Sequence, residues 1–375
     1  MNQSTASLNT KSHYEVLDGL RGVAALVVVF CHAGEAFGND KRFTQLLTHG
    51  YLAVDFFFLL SGFVVAYAYD DRWGKMTQWD FYKRRLIRLQ PMVILGSMIG
   101  AALFYLQRSS IFPMVATTPV WKLLLVMVIG FTLIPVLPSM DIRGWREMDP
   151  LNVSAWSLFW EYIANVLYAV GIRKLSNKAL GVLVFLAAVL LARHAVMGRN
   201  GDVAVGWIAA WPQMYLGLAR MLYPFLAGIL LMRLGKRIHV KRAFLVCSLM
   251  LLVIFCIPRV GGHSHPWMNG LYESFCIIIL FPVIVSIGAG DAATGRISSR
   301  LCRFFGEISY PLYITHCPLV YVYIAWMSRS HVSSGMGMLM GILLLCTSVA
   351  MAYACLKLYD EPVRAWLQRR FLWAK

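Results

Sequence analysis

Apolar residues gather into eleven stretches, at roughly 17–34, 50–69, 90–107, 120–138, 155–172, 179–192, 214–232, 243–258, 270–289, 305–326 and 336–357. A helix that crosses bilayer hydrocarbon needs about 17 to 25 such residues. Between the stretches lie only short polar connections, with no soluble linker or second domain. The expected fold is therefore all-α: a polytopic transmembrane helix bundle. Composition agrees, since 59% of the 375 residues are hydrophobic and 14% charged, against roughly 45–50% and 25% in soluble domains. Residues 14–366 are expected to form one membrane domain, flanked by polar tails at 1–13 and 367–375.

The formal net charge of +17 raises nucleic-acid binding, but that needs basic residues on one face of a soluble domain. Here they sit in short clusters between apolar runs, the pattern of cytoplasmic loops in membrane proteins. Arg72, Lys75, Lys83, Arg84, Arg85 and Arg88 make 71–90 a strongly basic loop. Later clusters are Arg173, Lys174 and Lys178; Arg233 to Arg242; Arg296, Arg300 and Arg303; and Lys357 to Lys375. Strict alternation through eleven spans puts three of these later clusters outside. Demoting one segment between 90 and 138 brings all of them inside, so ten crossings plus one partial or re-entrant piece are expected, with both termini cytoplasmic. The 120–138 segment, ending in Pro135 and Pro138, is the one demoted, packed against protein rather than lipid.

The eight cysteines form no CxxC pair and no Cys/His cluster at zinc spacing, so neither a disulfide framework nor a metal is expected. His263-Ser264-His265 alternates without a local thiolate or carboxylate and is taken as loop. The stretch before Leu17 is polar and no cleavage signal follows, so the first apolar run is expected to be a retained helix.

Ionisable groups inside spans are costly and mark function by default. The first helix reads Leu17-Asp18-Gly19-Leu20-Arg21-Gly22 and continues to Phe30-Cys31-His32. Arg21 and His32 are eleven residues apart, about 16 Å of rise and almost three turns, so they share one face. That puts a cation at the cytoplasmic edge and an imidazole deep in the membrane. Asp55 lies near the outer end of the second span, before Ser61-Gly62, a small pair suited to close helix packing. Arg85 and Arg88 stand three apart on a helical face and can offer forked donors to phosphate, or anchor to lipid headgroups. Trp156-Ser157-Leu158-Phe159-Trp160-Glu161 carries a carboxylate one turn into an apolar run. Gly306-Glu307-Ile308-Ser309-Tyr310-Pro311-Leu312-Tyr313-Ile314-Thr315-His316 brackets the start of the tenth span.

With the stretch Val54-Asp55-Phe56-Phe57-Phe58-Leu59-Leu60-Ser61-Gly62-Phe63, the run Arg84 to Pro91, and Asp360-Glu361-Pro362-Val363-Arg364 added, six motifs in order resemble the membrane acyltransferase-3 family. They cover residues 14 to about 366. Phe58, where the family often has Val, and Gln90 before Pro91 are mild departures.

The resemblance implies transfer of an acyl group, most often acetyl, from cytoplasmic acyl-CoA to a hydroxyl of an extracytoplasmic or lipid-linked carbohydrate. It implies a bacterial inner-membrane location, with lipid, a glycan acceptor and envelope-polysaccharide assembly proteins as partners. It also marks Arg21 and His32 as an essential pair, and Arg85 and Arg88 as important. Some members continue into a hydrolase-like domain. This chain stops at Lys375, so any acceptor-loading partner is expected to be separate or unnecessary.

On that reading Arg85, Arg88 and Arg21 hold the CoA phosphates. His32 acts as general base or forms an acyl-imidazole. Asp55 or Glu161 orients the ring or binds the sugar. A proton-coupled transporter built on the same buried Asp, Glu, His and Arg residues is the competing reading, and its sign would be two related halves with broken helices. No such repeat is visible.

Overall fold

The structure, a computed structural model, describes residues 13–36, 48–262, 264–290, 295–330 and 333–372. The tail 1–12, His263 and the last three residues lie outside the described residues. Every apolar stretch is helical for most of its length, and among the described residues there is no strand, only an isolated bridge between Glu147 and Ile208.

In chain order the helices are α1 (Glu15–Glu35), α2 (Ala53–Tyr69), α3 (Gln78–Leu103), α4 (Val120–Gly130), α5 (Ala155–Val170) and α6 (Asn177–Met197). Then come α7 (Trp211–Leu234), α8 (Ala243–Cys256), α9 (Trp267–Phe275) and α10 (Phe281–Gly288), the last two joined by a π turn at Cys276–Leu280. The chain closes with α11 (Arg296–Ser330), α12 (Ser334–Cys355) and α13 (Glu361–Phe371). Seven of the described helical stretches are long and apolar enough to cross a membrane, among them Glu15–Glu35, Gly50–Tyr69 and Trp211–Leu234.

Helix boundaries refine the sequence expectations. Residues 71–90 are not loop throughout. Thr77 accepts from the Asp80 backbone, the Asp80 carboxylate accepts from the Thr77 backbone, and this capping box starts α3 at Gln78. Lys83 to Arg88 are good helix formers, and the helix runs on through Pro91. Within 120–138, only Val120–Gly130 is helical. Eleven residues rise about 16 Å, half the hydrocarbon thickness. At the far end, α13 runs through position 366, so the expected C-terminal tail begins inside a helix.

The central helices are recognisable by what they bury. In the apolar window of α2 67% is buried, against 22% in those of α6 and the α12–α13 stretch, whose exposed Val182, Phe185, Leu339 and Ile342 suit lipid. Close approach holds the centre together. A side chain at Gly22 would collide with Phe305 of α11, and one at Gly62 with the backbone of Phe225 of α7. The small residue read from Ser61-Gly62 therefore packs helix on helix as expected.

Candidate active site

Helices α1, α2, α5 and α11 enclose two cavities stacked along the bundle. The first, of about 90 Å³, lies at the end of α1 that carries Arg21 and is lined also by Ser61, Arg85, Arg88, Ser157, Glu161, Tyr310 and Tyr313. Arg85 is buried, and its Nη2 donates to Glu161 Oε1 at 2.5 Å. Ser61 Oγ donates to the same oxygen at 2.9 Å, so that serine does more than fill space. Yet Arg85 Nε is buried without a hydrogen-bond partner. Arg88 is exposed and makes no hydrogen bond or ion pair among the described residues. Arg21 has only a loose contact, 3.7 Å from Asp18. Three guanidinium groups thus converge with donors to spare. A carboxylate, phosphate or other anion is what such spare forks match.

The second cavity is larger, about 350 Å³, and lies at the other end of α1. His32 opens into it with Cys31, Glu35, Tyr51, Glu147, Ser154, Trp145, Trp156, Trp207, Arg220, Tyr313, Cys317 and Tyr321. The wall is aromatic, with carboxylates set into it. His32 sits in the last turn of α1 rather than deep in the span, with its Nδ1 3.0 Å from Glu35 Oε1. With Glu35 accepting from Nδ1–H, the lone pair is left on Nε2, facing away from the carboxylate. Behind it the His316 ring stacks at 5.6 Å between centroids.

Val54 and Tyr313 line both cavities. The partition between the arginine end and the histidine end is therefore one side chain thick. Tyr313 is held there by Phe57, edge-on at 5.4 Å, and by a 2.8 Å hydrogen bond between its hydroxyl and Ser157 Oγ.

Of the six residues singled out in the sequence, Arg21, Arg85, Arg88 and Glu161 meet in the first cavity, and His32 stands in the second. Asp55 meets none of them. It is fully buried and paired with Arg220, whose Nη2 donates at 2.6 Å and Nε at 3.2 Å. Arg220 Nη1 donates to Val205 O and Nη2 also to Tyr51 O, at 2.9 and 3.1 Å. The carboxylate at the histidine is Glu35, not Asp55 or Glu161. Sequence reading passed over it, although it lies one helical turn beyond His32. It also gave no role to Tyr313, His316, Cys317 or Glu147.

Glu147 comes from the segment between α4 and α5. It accepts from the Tyr321 hydroxyl at 2.5 Å and from Arg143 Nε at 3.2 Å. Burial pushes its carboxyl up to about 7, against the pull of the Arg143 guanidinium.

The motifs that build these cavities belong to one recognised domain: the family model described as an acyltransferase domain matches residues 14–357. The chain belongs to the acyltransferase-3 family. It is an integral membrane acyltransferase, which sets the transporter reading aside. Protein 2 in the picA locus of Rhizobium radiobacter is 34% identical over 201 residues, 50% of this chain and 98% of that protein. Acyltransferase MdmB of Streptomyces mycarofaciens is 29% identical over 330 residues, 80% of this chain and 77% of that one. O-acetyltransferase OatA of Staphylococcus aureus is 22% identical over 364 residues, 93% of this chain but 57% of OatA. No solved structure matches the chain.

Proposed function

We propose that this acyltransferase moves an acetyl group from cytoplasmic acetyl-CoA to a hydroxyl of a carbohydrate, free or lipid-linked, that enters from the opposite side. The observation that carries the reading is the stacking of the two cavities, arginines below and His32 above, with only Val54 and Tyr313 between them. Arg85, Arg88 and Arg21 bind the CoA phosphates, and the spare Arg85 Nε is ready for one of them. The roughly 16 Å of rise from Arg21 to His32 suits a pantetheine arm running beside α1. Trp145, Trp156 and Trp207 offer flat apolar faces to sugar rings.

The acceptor oxygen attacks the thioester carbonyl carbon while His32 Nε2 takes the hydroxyl proton. The C–S bond then breaks, and the CoA sulfur leaves and regains a proton. General-base help of this kind is worth about 10² to 10⁴ in rate. Glu35 orients the ring and fixes its tautomer, and the Tyr313 hydroxyl is placed to meet the carbonyl oxygen as charge grows on it. The name of OatA supports acetyl as the group carried and oxygen as its acceptor.

The topology that goes with this has ten crossings, α4 as the partial piece, both termini in the cytoplasm and the bundle in a bacterial inner membrane. Residues 14–366 form the membrane domain, and envelope-polysaccharide assembly proteins are its neighbours.

The test compares purified wild type with His32→Ala for release of CoA thiol from acetyl-CoA, with membrane glycan extract as acceptor. Acceptor-dependent release by wild type alone supports the reading. Equal, background release by both across several donors and acceptors overturns it.

A further inference from the structure

Residues 32 and 316–317 are far apart in the chain, yet α1 and α11 bring His32, His316 and Cys317 together. One donor atom from each lies within 4.8 Å of the others. We propose that these three side chains form a binding site for a borderline-soft divalent cation, zinc foremost. Its occupation would switch acyl transfer off by capturing the His32 lone pair.

The donor set is the first argument. Two imidazoles and a thiol suit zinc, copper or cobalt and ill suit magnesium or calcium. Zinc bonds of about 2.0–2.3 Å at tetrahedral angles place donors roughly 3.3–3.8 Å apart. His316 Nε2 and Cys317 Sγ are already 3.4 Å apart. His32 has to close in by about an ångström to reach that spacing. Its side chain, 30% exposed and in the last turn of its helix, has room to turn.

The second argument is the support behind each donor. His32 Nδ1 meets Glu35 Oε1 at 3.0 Å, His316 Nδ1 meets Leu312 O at 3.0 Å, and Cys317 Sγ meets Ser154 Oγ at 2.8 Å. A carboxylate, a carbonyl and a hydroxyl hold the far side of the three ligands, the arrangement that orients metal-binding histidines. It leaves both Nε2 atoms and the sulfur as the donors free for a cation. His32 and Cys317 line the larger cavity, which leaves room for water at a fourth position. Glu35 lines the same cavity and favours a cation entering it. His316 and Cys317 are 0% and 2% exposed, so their donor atoms lose little to competing water.

Binding stands on this geometry alone. Inhibition rests on the role of His32 proposed above. Untagged, detergent-purified protein is titrated with cobalt(II), and the thiolate-to-cobalt charge-transfer band is followed in the near ultraviolet. Zinc inhibition of CoA thiol release is measured in parallel and reversed with chelator. The wild type should show the band at one cobalt per chain. Cys317→Ser, which keeps the size of the side chain, should lose it. Each enzyme's zinc sensitivity is read against its own zinc-free rate, and Cys317→Ser should need at least tenfold more zinc for half inhibition. Glu35→Gln should keep the band and weaken the metal about tenfold, the effect of a lost supporting bond. No band in the wild type, or a band and zinc sensitivity unchanged in Cys317→Ser, overturns the proposal. A band with no acyl transfer under any condition leaves the metal site standing and sinks the catalytic reading of His32 instead.

Discussion

Arginine serves opposite ends of this bundle in opposite ways. At the end carrying Arg21, the guanidinium groups keep donors in reserve: among the described residues Arg85 Nε has no partner, Arg88 makes no hydrogen bond, and Arg21 is 3.7 Å from its carboxylate. At the other end the donors are engaged. Arg220 binds Asp55 twice and two backbone carbonyls. Arg143 donates to Glu147, Gln107 and the Pro150 carbonyl, and lies under the Tyr321 ring at 3.7 Å. A buried guanidinium with every nitrogen engaged builds the wall. One with donors left over waits for an anion. Burial alone does not separate them, since Arg85 and Arg220 are 5% and 1% exposed; counting bonds does.

The sharpest way to break this comparison is to truncate one arginine at each end. Arg220→Ala leaves Asp55 buried and unpaired, which costs about 3–5 kcal/mol. The detergent-solubilised protein should melt many degrees lower, as read by a thermal-shift assay. Arg88→Ala should leave the melting temperature alone. It should raise KM for acetyl-CoA roughly 10- to 100-fold, the value of one charge-assisted bond of about 1.5–3 kcal/mol, with KM for the acceptor unchanged. If instead Arg220→Ala melts normally and raises the donor KM, the assignment of the two ends is reversed.

A smaller effect sharpens the wall further. The Glu147 carboxyl titrates near 7 in the fold against an ordinary value of 4.5, so the folded protein prefers it protonated. Its stabilising contribution is whole below about 4.5 and is lost as pH rises through 7. Melting temperature should fall by on the order of 2 °C between pH 6 and 8. In Glu147→Gln, which cannot ionise, that fall should flatten. A wild-type melting temperature that rises over the same interval counts against a neutral Glu147.

Much of the site was legible because helix periodicity is strict. Arg21 and His32, eleven residues apart, share a face, and the fold indeed sets each against a cavity on α1. Arg85 and Arg88 three apart point into the same space. The helix they ride on was less legible: the charge of 71–90 read as loop, while the Thr77–Asp80 capping box was the overlooked sign of a start. Asp55 illustrates the limit. Its carboxylate looked available for chemistry, but Arg220, 165 positions away, takes both oxygens. No local pattern announces such a partner. The absence of a Cys/His cluster was likewise read from local spacing, and it could not foresee α1 meeting α11.

What the sequence by itself determined is the solvent, the helical class and the family. Apolar length, basic clusters and motif order are properties of the chain read one segment at a time, and lipid forces each segment to satisfy its own backbone. Which polar groups are consumed and which remain free was decided only by tertiary structure. Burial makes every lone pair and donor seek a partner, and who stands nearest depends on how helices cross. Gly22 and Gly62 let α1 meet α11 and α2 meet α7 closely enough that Asp55 finds Arg220, His32 finds His316, and three arginines are left with bonds to give.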